Sequence, residues 1–219
     1  MRAIAKNRLV LQATVAAVIA GFAASADAAS VYLNKDNITV AVGAGTSPGS
    51  FNNTFNGGAT IEKVIDAPSA DAEEFHTQAT HIWFTADAIG GGLELKFDFG
   101  TEYDINTLHF WNYTSESFDV DNVAFSFFNG GNALVGSLAV APALGSSGGI
   151  EAQDILLAAP LNVRFVTAFL TGSNREVDFQ NIGFTAEVSA PAPVPLPAAL
   201  PLLAFGLSAL GVMGRRRRQ

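Results

Sequence analysis

The sequence predicts an all-β fold, an antiparallel β-sandwich spanning residues 29–188. Three observations predict it. Leu93, Leu95, Phe97 and Phe99 alternate without a break with Glu94, Lys96 and Asp98, the period-two pattern of a strand with one face in a core. Apolar runs of strand length recur along the chain, separated by Gly, Ser and Pro turns. No segment between 29 and 188 sustains the apolar spacing of an amphipathic helix.

The N-terminus is not part of that fold. Met1–Ala28 carries Arg2, Lys6 and Arg8, then a mostly apolar stretch from Leu9 to Ala24, then small-residue cleavage sites around Ala26 and Ala28. It reads as a secretory signal helix removed on export. Between Ala29 and Ala190 five basic residues face nineteen acidic ones, a net charge of −14. A surface this acidic lacks the Lys/Arg patches that phosphate backbones require, which excludes nucleic acid as a partner. With Cys 0, a disulfide framework and a thiolate metal site are also excluded. The fold must be held by its core, and about 160 residues suffice for one such domain.

Taken in order, Val31–Leu33 and Ile38–Val42 have the composition of short strands. Residues 43–58 are rich in Gly, Ser, Asn and Thr and read as a long surface loop. Ala59–Ile65 alternates and reads as a strand, while Pro68–Phe75 has the composition of one or two helical turns capped by Ser69. A strand from His81 runs to the Gly90-Gly91-Gly92 turn, where the alternating strand begins. A turn at Gly100-Thr101-Glu102 separates that strand from the next, Ile105–Asn112. Asn122–Phe128 follows, then a sharp turn at 129–132. Later strands are expected at Ala133–Val140, Ile150–Leu157, Val163–Thr171 and Val177–Val188, with a linker over 189–193.

Trp83, the run Leu95-Lys96-Phe97-Asp98-Phe99-Gly100, Tyr103-Asp104-Ile105 and Leu108-His109-Phe110-Trp111-Asn112-Tyr113 carry a resemblance. Together with Val177–Phe184 they resemble the galactose-binding-like, discoidin or F5/8 type C-like family. The resemblance implies a jelly roll with loops at one end that hold calcium or ligand. It departs from that family in lacking the cysteine pair that staples many members. It speaks to fold more than to ligand.

The C-terminal segment states an address. Val194-Pro195-Leu196-Pro197-Ala198 opens an uncharged run to Gly214, closed by Arg215, Arg216, Arg217, Arg218 and Gln219. The apolar run is about as short as a membrane-spanning helix allows, and the arginines mark its cytoplasmic side. The order of motif, hydrophobic helix and basic cluster resembles the PEP-CTERM class of sorting signals, in its VPLPA-CTERM variant. That resemblance implies an exosortase-type processing enzyme as partner, which removes residues beyond the motif and passes the protein to the cell surface. A retained single-pass anchor is the alternative.

Among candidate site residues, Asp119, Asp121 and Asn122 supply hard oxygen donors in the loop 115–122, suited to a structural calcium ion or to a solvated acidic turn. Trp83, Trp111 and Tyr113 are the candidates for stacking on a sugar ring, with Tyr113 at a strand end the better surface residue and Trp83 and Trp111 better suited to a core. His76 and His81, five apart beside Glu73 and Glu74, read as surface polarity rather than a zinc site. His109 falls in the exposed register set by Ile105 and reads as a strand-face residue. Asp98 and Asp104 read as turn chemistry. No catalytic residues, hydrolase motif or phosphate loop stand out. The expectation is a non-enzymatic exported protein that binds polysaccharide or contributes to envelope or biofilm structure. The alternatives are a structural protein without a small ligand and, behind it, a glycan-processing enzyme.

Overall fold

The computed structural model describes residues 29–51, 60–75 and 81–188. The signal segment 1–28, the linker 189–193 and the sorting tail 194–219 lie outside the described residues. So does His76. Among the described residues, no helix is long and apolar enough to cross a membrane.

Nine strands are described: β1 (Ser30–Leu33), β2 (Thr39–Val42), β3 (Gly49–Phe51), β4 (Ile82–Ala86), β5 (Gly92–Asn112), β6 (Asn122–Phe128), β7 (Leu134–Val140), β8 (Gln153–Thr171) and β9 (Glu176–Val188). All pair antiparallel, in the order β3-β4-β9-β5-β8-β6-β7, with β1 on β9 and β2 on β5. The long strands β5 and β8 pair along nearly their whole length and belong to both layers. The first half of β5 has β2 at its side, at Leu95–Asp98, and the second half has β9, from Tyr103 to Asn112. One sheet therefore bends over at β5 and β8 and closes on itself as a sandwich.

The bend is local chemistry. The register of β5 slips between Asp98 and Tyr103. Gly100 sits there at φ +72, a conformation that glycine adopts without penalty, and its N–H donates to Asp98 Oδ1 at 2.8 Å. The sequence expectation of a turn at 100–102 between two strands is thus corrected to a bulge within one strand of 21 residues. Likewise the strands expected at 150–157 and 163–171 are one strand, β8, 19 residues long from Gln153 to Thr171, and Ile150 lies before it in a bridge to Glu74.

Three other expectations change. Residues 61–65 form a 3-10 helix, not a strand, because Val64 and Ile65 are both buried and successive strand residues would face opposite sides. The loop over 43–58 contains β3, which pairs with β4. Pro68–Phe75 makes a turn, with Ala72 N–H donating to Ser69 O at 3.2 Å, and a bridge from Glu74 to Ile150, but no helix.

The core lies between the two layers and is rich in phenylalanine. Phe184 of β9 meets Phe97 and Phe99 of β5, with ring centroids 5.3 and 5.0 Å apart, and Phe110 stacks on Phe179 at 5.6 Å. Each fully buried ring contributes roughly 1.5–3 kcal/mol by removal from water. A second, smaller core sits outside β5, where Trp111 packs with Ala67 and Ile150.

Candidate functional site

Where β5 ends, Asn112 pins the loop that follows it. Its Oδ1 accepts the N–H groups of Tyr113 at 2.9 Å and Val120 at 3.0 Å. Its Nδ2 donates to Val120 O at 3.0 Å and Ala143 O at 3.2 Å. An asparagine serving both strands of a loop neck in this way fixes the loop's entry and exit together. The loop then runs beside the start of β9: Asp178 N–H donates to Phe118 O at 2.9 Å, and Asp121 N–H to Thr171 O at 3.0 Å. Gly172 permits that approach, since a Cβ there would lie 1.9 Å from Glu176 O and 2.8 Å from Asp119 O.

Four rings from two distant segments meet at this end of the sandwich. His81 stacks near Tyr113 with centroids 6.1 Å apart at 22° and lies 6.1 Å from Trp83. Phe118, 38% exposed, stands edge-on to Trp83 at 6.0 Å and to Tyr113 at 6.3 Å. Carboxylates lie among them. Trp83 Nε1–H and Thr85 Oγ1–H both donate to Glu176 Oε2 at 2.7 Å. His81 Nε2 is 3.5 Å from Asp178 Oδ1, and both side chains are almost fully buried.

Burial sets the electrostatics. It pushes the Asp178 carboxyl up to about 8, with the nearby Glu176 charge acting in the same direction. Burial also raises the Tyr113 hydroxyl, helped by Asp178. Asp119 is raised by burial first, then by Asp121 and Glu116, against the lowering effect of hydrogen bonds from its own backbone and Asn112. One oxygen each of Glu116, Asp119 and Asp121 lie within 4.8 Å of one another. Asp119 is buried, and its Oδ1 accepts no hydrogen bond among the described residues. Three hard oxygen donors around one orphaned buried carboxylate oxygen fit a divalent cation such as calcium. Asn122, expected beside Asp119 and Asp121 from sequence, opens β6 on an exposed position opposite Thr171, and Glu116 joins the two aspartates in the carboxylate cluster.

Tyr113 therefore stands in the ring cluster and Trp111 does not. Trp111 is fully buried and donates its indole N–H to Ala72 O at 2.8 Å. His109 is not the exposed strand-face residue that its register suggested: it is 4% exposed, between Asp154 Oδ1 at 2.6 Å from Nδ1 and Thr185 Oγ1 at 2.7 Å from Nε2. The cause is the cover laid over this face by Tyr32 and the segment 67–72, which alternation along β5 does not reveal. Sequence reasoning missed Phe118, Asp178 and Glu176 and gave His81 to the polar surface, while Trp83, weighed there for a sugar surface or the core, stands in the ring cluster. Their only shared signal is an aromatic or acidic residue at a strand end, which becomes a site only when β4 and β9 pair.

No family model matches the chain, and no curated protein matches it in sequence. Among solved structures it is similar to the F5/8 type C domain of a Bacteroides fragilis protein, at 8% identity over 73% of this chain and 98% of that one, with TM-score 0.50. It is also similar to the family 32 carbohydrate-binding module of C. perfringens NanJ in complex with galactose, at 10% identity over 72% of this chain and 99% of that chain, TM-score 0.47. A third is the lectin domain of lectinolysin complexed with Lewis B antigen, at 11% identity, 72% and 100% coverage, and TM-score 0.46. At these identities the likeness to the F5/8 type C domain concerns the fold alone: the described strands form an all-β jelly roll like that domain's.

Proposed function

We propose that this domain binds carbohydrate without catalysis, at the end of the sandwich formed by Trp83, Tyr113, Phe118 and His81. The observation that carries the reading is the partly exposed aromatic cluster set directly beside the Glu176 carboxylate and the buried Asp178. A pyranose ring has an apolar face and a rim of hydroxyls. Tyr113 and Phe118 supply ring surface for the face, and Glu176 and the Tyr113 hydroxyl supply polar groups for the rim, with the buried Asp178 behind them. The jelly-roll fold supports the reading by presenting loops at that end on a rigid scaffold.

The sequence of the termini completes the proposal. The signal at 1–28 exports the chain, and an exosortase-type enzyme processes it at Val194–Ala198, leaving it on the cell surface or in the extracellular matrix. There it binds polysaccharide in the envelope or a biofilm. A calcium ion held by Glu116, Asp119 and Asp121 would neutralise the cluster and stiffen the loop that presents Tyr113 and Phe118. The test is a glycan array probed with the mature protein and with Tyr113→Ala. Binding by the parent that disappears in the variant, with thermal stability retained, supports the reading. A parent protein that binds no glycan overturns it.

A further inference from the structure

The half of the sandwich built from β2, β5, β8, β6 and β7 presents an outer face that no other described strand covers, and its register arranges that face in rungs. Ala41, Lys96, Thr167, Ser126 and Ser137 are successive cross-strand partners over five strands. On one side of this rung lies Thr39-Asp98-Phe165-Phe128, and on the other Glu94-Phe169-Ala124. Cross-strand partners point to the same side of a sheet. The middle rung is therefore a line of mostly small, hydroxyl-bearing side chains, with Phe165 and Phe128 rising along one side and Phe169 along the other. A cavity of about 490 Å³ opens on this face between β2 and the end of β6, lined by Thr39, Lys96, Asp98, Phe128, Asn132 and Phe165 among others.

The charges on this face are already paired. Arg164 Nε lies 3.2 Å from Asp98 Oδ1 and its guanidinium sits 4.9 Å over the Phe165 ring. Lys96 Nζ lies 3.8 Å from Glu94 Oε1. The face has no surplus cation to attract a polyanion, and the domain's net charge of −14 repels one. Half-buried phenyl rings beside hydroxyl and amide groups, with no net charge, complement a neutral polyol whose rings have apolar faces. Strands spaced about 4.8 Å apart make the rung about 19 Å long, enough to follow several sugar rings in line rather than one.

We infer that this trough is a second glycan site, one that takes an internal stretch of an extended neutral polysaccharide lying across the strands. The inference rests on the reading of the domain as a glycan binder but uses none of the residues at the aromatic end. The end cluster is compact and receives a terminal or branching sugar; the trough is open at both ends and admits a continuing chain. One domain that holds a polymer at two places gains avidity from the second contact.

The experiment is native gel electrophoresis of the mature protein through gels containing hydroxyethyl cellulose, galactomannan or alginate. Thr167→Trp and Ser126→Arg fill the trough from two different strands without removing a core side chain, and melting temperature and near-ultraviolet circular dichroism check their folding. The expected result is retardation of the parent by a neutral polymer and not by alginate. Each trough variant loses affinity by about tenfold or more, equivalent to ~1.4 kcal/mol, while Tyr113→Ala is still retarded. Retardation unchanged in both trough variants overturns the inference, as does retardation by alginate alone or by no polymer. If no polymer binds but small sugars still bind in a Tyr113-dependent way, the trough fails and the end site stands.

Discussion

Two histidine–carboxylate pairs sit in this domain under opposite conditions. His109 and Asp154 are 2.6 Å apart, with the Asp154 side chain 62% exposed and Thr185 bonded to the other ring nitrogen. The pair is a fully satisfied rung that ties β8, β5 and β9 together on a face covered by the smaller core. His81 and Asp178 are 3.5 Å apart, both buried, under Tyr113 and beside Trp83. That pair holds a carboxyl whose affinity for its proton is strongly raised. Desolvating a carboxyl against a neighbouring carboxylate costs stability. A fold has reason to retain that cost only where the groups are put to use. The difference separates a structural histidine from one placed at a site.

Disrupting the structural side gives the largest expected change. Trp111→Ala leaves a large void in the smaller core and strands Ala72 O, and should lower stability by about 3–5 kcal/mol in denaturant titration. His109→Ala should cost less, about 1–3 kcal/mol, by unpairing Thr185. Neither should change the sugar specificity of whatever protein remains folded. A His109 variant with native stability but no ligand binding would reverse the assignment of the two pairs.

The second expected effect concerns pH. Asp178 has its folded pKa raised to about 8 from an ordinary 3.8, so the folded state holds a proton that the unfolded chain releases. Its contribution to stability is fully present below about pH 4 and is lost as pH rises through about 8. Across that window it gives a slope of about −1.4 kcal/mol per pH unit. Asp178→Asn should remove this component, so that parent and variant converge in acid and the variant is the more stable at pH 8. Parallel stability–pH curves would show that Asp178 is ionised in the folded state throughout.

The smallest expected effect is that of calcium. Millimolar calcium should raise the melting temperature of the parent by a few degrees, through binding to the folded state alone. It should do so less in Glu116→Gln and Asp121→Asn, which each remove one carboxylate from the cluster. Equal shifts in the parent and both variants would place any calcium elsewhere.

How much of this was legible in the sequence follows from what each feature depends on. The strand 93–99 and the strand 122–128 could be read directly, because alternation with one face in the core is a local property. The bulge at Gly100 could not be told from a turn, since an Asp98 side chain capping a Gly100 N–H looks the same in both until the strand is seen to continue. His109 was misplaced because alternation fixes the side to which a residue points, not what covers that side. Tyr113, Asp119 and Asp121 were legible because they share one loop. Phe118 was legible as part of that loop but not as a ring partner of Trp83. Asp178, Glu176 and His81 join the site only through the pairing of β4 with β9 and the bridge from Asp119 to Asp178, contacts between positions about 60 to 100 residues apart in the chain.

The most direct test of the aromatic end as a ligand site is calorimetric titration of the best array sugar into the parent, Tyr113→Ala and His109→Gln. The account predicts measurable binding to the parent, a loss of about tenfold or more in affinity for Tyr113→Ala at unchanged melting temperature, and parent-like affinity for folded His109→Gln. Equal affinity for the parent and Tyr113→Ala would contradict it.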